Sequence, residues 1–114
     1  MRSSYNGEEY VFVTVHEAPD EVDAVATVVE PEGLSIVLAR VEADRRGYSY
    51  GYVAAWIMLE DETGLADVGI TAAVTAELAE LGISCNVVAG ARHDHFFVPY
   101  SRAREAVAAI DALG

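Results

Sequence analysis

Apolar and polar positions along this 114-residue chain fall into short blocks whose spacing predicts alternating strands and helices. The run "YVFVTV" (10–15) is β-branched and aromatic, which suits a pleated, half-buried surface, and is read as a strand. In "EAPDEVDAVATVVEPEG", Pro19 opens a helix that places Val22, Val25, Ala26 and Val29 on one face before Pro31 and Gly33 stop it. The segment "LSIVLA" (34–39) is a second strand, "RVEADRRGYSYGY" a short helical turn with a loop, and "YVAAWIMLE" (52–60) a third strand. Ile70, Val74, Leu78 and Leu81 repeat at helical spacing, and Gly82 ends that helix. The segments "ISCNVVA" (83–89) and "HDHFFVP" (93–99) form an antiparallel hairpin across "GAR". Ser101 caps a last helix with Ala103, Ala106, Val107, Ile110 and Leu113 as its apolar stripe. The predicted order is β-α-β-β-α-β-β-α.

Two blocks echo each other, since "YVFVTV" to "EGLSIVLA" and "AWIML" to "LGISCNVVA" both read strand, helix, glycine, strand. The expected fold is α+β and ferredoxin-like: an antiparallel sheet with helices on one face, built from duplicated halves at residues 1–50 and 51–114. Neither half holds a full set of elements alone, so the halves share strands or complete one another, within the chain or across a dimer.

Charge and cysteine content narrow the function. Nineteen Asp and Glu stand against seven Lys and Arg, a net charge of −12, and every basic residue is Arg. Such a field repels phosphate backbones and anionic lipid, which argues against nucleic-acid and membrane-surface binding. Cys85, the single cysteine, excludes an internal disulfide and a thiolate-rich zinc site and reads as a small core residue. No apolar run approaches the roughly 18 residues of a membrane helix and "MRSSYNGEEY" lacks a signal-peptide core, so a soluble, cytoplasmic protein is expected.

The segment "TGLADVGITAAVTAELAELGISCNVVAGARHDHFFVP" (63–99) resembles the ACT domain, the ferredoxin-like regulatory module that binds amino acids in many metabolic enzymes. More narrowly, the chain is similar to short stand-alone proteins with two ACT-like halves, through "EYVFVTV" (9–15), "EGLSIVLAR" (32–40), "VGITAAV" (68–74), "GISCNVVAG" (82–90) and "HDHFFVP" (93–99). It departs from their pattern at "EDETGL" (60–65) and at "AR" (91–92), both in loops. The resemblance implies a small-molecule ligand, an amino acid by class, a homodimer, and a binding site in the strand-to-helix loop "GLADVGIT" (64–71).

The chemistry of that loop supports such use. Unpaired N–H groups at a helix start favour a carboxylate by about 0.3–1 kcal/mol, and Gly69 lets the backbone approach closely. Asp67, Val68, Gly69, Ile70 and Thr71 are therefore candidate ligand contacts, with Asp67 set to receive an α-ammonium. Alternatively, Asp67 or Thr71 caps the helix and Gly69 makes room for a neighbouring strand. Asn86 is read as a buried amide needing a partner in a loop, a subunit or a ligand. In "HDH", strand alternation sends His93 and His95 one way and Asp94 the other. His93 and Asp94 join the ligand candidates, while the histidine pair is read as hydrogen-bonding or interface chemistry. No catalytic residue, metal or cofactor is assigned. Two rival readings are a ligand-free dimerisation or interaction module and a metal-dependent enzyme using His93 and His95.

Overall fold

The structure, a computed structural model, describes residues 1–114. Its elements are β1 (Ser3–Val15), β2 (Ala24–Glu30), β3 (Gly33–Ala39), α1 (Arg40–Arg46), β4 (Val53–Leu59), α2 (Ile70–Glu80), β5 (Asn86–Ala89), β6 (Asp94–Pro99), a 3-10 turn (Tyr100–Arg102) and α3 (Ala103–Asp111). The chain forms two compact units, one of residues 8–54 and one of residues 1–7 with 55–114.

In the first unit the strand order is β2-β3-β1. β3 pairs antiparallel with β1, from Tyr10 opposite Ala39 to Val15 opposite Leu34, and antiparallel with β2. Alternation sends Val11, Val13, Ile36 and Leu38 to one face, where they bury against Ala43 of α1.

This unit corrects the sequence reading of residues 19–29, which are not a helix: Ala24–Glu30 is a strand. Val25, Thr27, Val28 and Val29 are β-branched and stiff at χ1, so they favour the pleated backbone. Pro31 and Glu32 close a two-residue turn, with Glu30 opposite Gly33. A Cβ on Gly33, at φ +143, would stand 2.6 Å from the Val15 carbonyl oxygen, so only glycine lets β3 begin that close to β1. The helical face of valines was a coincidence of spacing, and the strand-helix-strand echo is lost with it. The observed order is β-β-β-α-β-α-β-β-α.

The second unit carries the strands in the order β1-β4-β6-β5, β1 entering through residues 3–7. With α2 following β4 and α3 following β6, this is the ferredoxin-like plan, its last strand supplied by the start of the chain. Ala55, Ile57 and Leu59 of β4 and Phe96 and Val98 of β6 share one face and bury against Val74 and Leu78 of α2 and Ala106 and Ile110 of α3. Both helices therefore cover the same side of the sheet. On the other side the Trp56 ring stacks on Phe97 at 6.4 Å.

Two boundaries also differ from the sequence reading. β5 starts at Asn86 rather than residue 83, because Ile83 belongs to the end of α2: its N–H donates to Leu78 O at 2.9 Å beside Gly82, at φ +70. Ser101 lies inside the 3-10 turn, and α3 starts without a side-chain cap.

Candidate functional site

Between β4 and α2, residues 60–69 are fastened in their first half, where Glu60 N–H donates to Arg2 O and Thr63 N–H to Arg92 O, each at 2.8 Å. Inside the loop, Asp67 N–H donates to Gly64 O at 3.0 Å and Gly64 N–H donates to Asp67 Oδ2 at 2.7 Å. Asp67 thus closes its own turn and does not cap α2. Gly69 holds the N-cap position at φ 92, left-handed, with no side-chain hydrogen bond to the helix. No neighbour lies within 4 Å of a Cβ built there, so backbone conformation rather than a packed strand accounts for the glycine. The first intrahelical bond runs from Ala73 N–H to Gly69 O, and the amides before it receive no acceptor from the helix.

Beside this helix start lies a cavity of about 120 Å³. The loop contributes Thr63, Gly64, Leu65 and Asp67, the helix start contributes Gly69, Ile70 and Thr71, and the β5–β6 hairpin contributes Ala89, Gly90 and Asp94. The chain's two buried polar residues, Thr63 (6% exposed) and Asp94 (7%), both face it. Asp94 is the uncommon one. Its side chain receives a single hydrogen bond, from the Thr71 hydroxyl to Oδ2 at the long distance of 3.5 Å. None of the chain's ion pairs includes it. A buried carboxylate is costly unless it is paired or well hydrogen-bonded. Here the lack of a cationic partner coincides with an open space and with uncapped amides.

The cavity thus gathers five sequence candidates: Asp67, Gly69, Ile70, Thr71 and Asp94. Val68 points away, 95% exposed. Asn86 is exposed at the start of β5, opposite Phe97, rather than buried. His93 turns its Nδ1–H to Leu59 O at 3.0 Å, and His95 Nδ1 accepts from the Trp56 indole N–H at 3.0 Å. His95 therefore ties β6 to β4, and His93 ties the residue just ahead of β6 to β4. Burial, and next the like charge of His93, hold the His95 imidazole below its ordinary value, while Asp94 opposes them. No group of three or more His, Cys, Asp or Glu is placed to hold a metal ion. Cys85 is half-buried, and burial pushes its thiol up to about 11.

Sequence reading does not single out Thr63, Ala89 and Gly90. The hairpin carries the signal for the last two, because Ala89 stands opposite Asp94 and Gly90 N–H donates to His93 O. Larger hollows, one of about 280 Å³ lined by Ser4, Tyr5, Asn6, Trp56 and Met58 and one of about 540 Å³ beside the start of α3, contain no buried charged group.

Residues 1–55 match the ACT domain family, a range that stops short of the cavity. The chain is 38% identical to a protein of unknown function from Vibrio cholerae, described as a possible transport protein, with TM-score 0.85 over 96% of this chain and 87% of that one. It also shares its fold with a protein from Agrobacterium tumefaciens (20% identity, TM-score 0.72, 96% of this chain and 86% of that one). The same holds for a chain of the aspartokinase alpha and beta subunits (11% identity, TM-score 0.68, 96% of this chain and 95% of that one). No curated protein matches. No helix is long and apolar enough to cross a membrane. The match to the ACT domain family thus rests on residues 1–55, just under half of the chain, and the fold is shared with these solved structures along nearly its whole length.

Proposed function

We propose that the protein is a cytoplasmic regulatory module that binds an amino acid in the cavity at the start of α2. The observation that carries this reading is Asp94, a buried carboxylate with no cationic partner, facing open space beside uncapped helix amides. An ammonium against Asp94 satisfies the acid, and a carboxylate at the amides of Ile70 and Thr71 satisfies the helix start. The ligand regulates by its difference in affinity between two states of the protein, one of which a target recognises.

Thermal unfolding tests this directly. An amino acid at about 100 times its dissociation constant adds about 2.7 kcal/mol of stability, which raises the melting temperature by roughly 10 °C or more for a domain of this size. Absence of any shift across the twenty amino acids would defeat the reading.

A second element of the proposal is a homodimer. β2 ends its sheet order with Val29 87% exposed and Val28 52% exposed, apolar surface on a strand that has one free edge. Sedimentation of the full chain should show a dimer, and Val29→Lys should weaken it. A concentration-independent monomer would remove this element while leaving the cavity reading intact.

A further inference from the structure

The chemical class of the ligand can be narrowed, on the reading of the cavity as an amino-acid site. Thr71 lies in the first turn of α2, and its hydroxyl stands 3.5 Å from Asp94 Oδ2. The place for an ammonium and the place for a carboxylate are therefore neighbours, as two groups borne on one carbon require. The volume, about 120 Å³, lies below the roughly 150 Å³ of a cavity that holds benzene. The hairpin wall does not recede readily, since Gly90 N–H donates to His93 O at 2.9 Å. The lining holds two carboxylates, Asp67 and Asp94, and no basic side chain. Asp67 is fixed in place by the Gly64 N–H at 2.7 Å.

We propose that the cavity selects small α-amino acids, of glycine to serine size, and rejects those with an acidic side chain, Asp67 and the confined volume being the discriminating features. A side-chain carboxylate meets Asp67 with like charge in a confined space. A long or aromatic side chain exceeds the volume. In β-alanine or 4-aminobutyrate the added methylenes hold the charged ends too far apart for adjacent subsites.

Calorimetric titration of the full chain with glycine, alanine, serine, glutamate, phenylalanine, β-alanine and 4-aminobutyrate reads the selection. At least one of the first three should bind about tenfold or more tightly than each of the other four. In Asp67→Asn, whose side-chain oxygen still accepts from Gly64 N–H, the penalty on glutamate should shrink severalfold while the penalty on phenylalanine stays. Glutamate, phenylalanine or a longer amino acid binding as tightly as the small ones would overturn the selection and leave an amino-acid site standing. An unchanged glutamate penalty in Asp67→Asn would remove Asp67 as its cause. Binding of none of the seven, together with no thermal shift from any other amino acid, would overturn the site reading and this proposal with it.

Discussion

α1 begins at the residue after β3 ends, whereas α2 begins past a loop, at a left-handed glycine. Neither helix has a side-chain cap, yet the two starts are electrostatically unlike. In α1, Glu42 sits in the first turn and pairs with Arg46 at 2.7 Å and Arg45 at 2.5 Å. The Arg46 hydrogen bond holds its carboxyl below the usual range, with Arg45 adding to the effect and burial opposing it. The positive end of α1 is thus met by an acid of its own sequence. α2 has no acid in its first turn, and the carboxylate that a residue of that turn, Thr71, hydrogen-bonds is Asp94 of β6, beside a cavity. The proposed site lies where the chain leaves a buried carboxylate without a cation and a helix start without a cap, and conflicts of this kind between local rules and structure gather at functional positions.

The contrast can be broken or sharpened by substitution. The largest effect is expected at Leu78, fully buried where α2 meets the strands. Leu78→Ala should cost about 2–5 kcal/mol in urea unfolding, and it should weaken ligand binding if the cavity needs a firmly seated α2. Next comes Gly69→Ala, which meets no neighbour but forces an L-residue into the left-handed region; a loss of about 1–2 kcal/mol is expected. At the other helix start, Ala39 is extended, the backbone state of a good N-cap. Ala39→Ser should therefore gain about 0.5–1 kcal/mol, a change of opposite sign to that at Gly69. The smallest effect is that of pH on the His95–Trp56 bond. His95 titrates lower in the folded chain than in the unfolded one, so the unfolded state binds its proton first. This contribution is complete above about pH 6.5 and is lost as the pH falls towards the lowered folded value. His95→Asn should flatten that slope, read by the fluorescence of Trp56, the only tryptophan.

Much of the second unit was legible because its patterns are unambiguous. Val74 and Leu78 recur at helical spacing over a long segment, and "HDHFFVP" alternates so that Asp94, Phe96 and Val98 share a face. The loop "GLADVGIT" was legible as a helix start with a glycine in it. Residues 24–30 were not, because Val22, Val25, Ala26 and Val29 fall at helical intervals in a segment that is also rich in β-branched residues, and only the turn at Pro31 and Glu32 and the pairing with β3 decide between the two. The strand character of residues 3–9 was hidden by polar side chains, since one stretch of "SSYNGEE" has little apolar alternation to show. Asn86 was misjudged for a related reason: a polar residue at a strand edge reads like one in its middle until the neighbours are known. Within the site, Asp67 was read as a ligand group or a cap, and it closes the turn onto Gly64. That Asp94 forms no ion pair has no sequence signature, because it depends on which side chains the fold brings near it.

Unfolding of the Asp94→Asn variant, with and without a small amino acid, tests the central claim most directly. The account predicts that the unliganded variant is at least as stable as the parent, because the carboxylate has one long hydrogen bond to lose, and that the ligand-induced rise in melting temperature vanishes. A variant that melts well below the parent without ligand, or that keeps the full ligand shift, would contradict it.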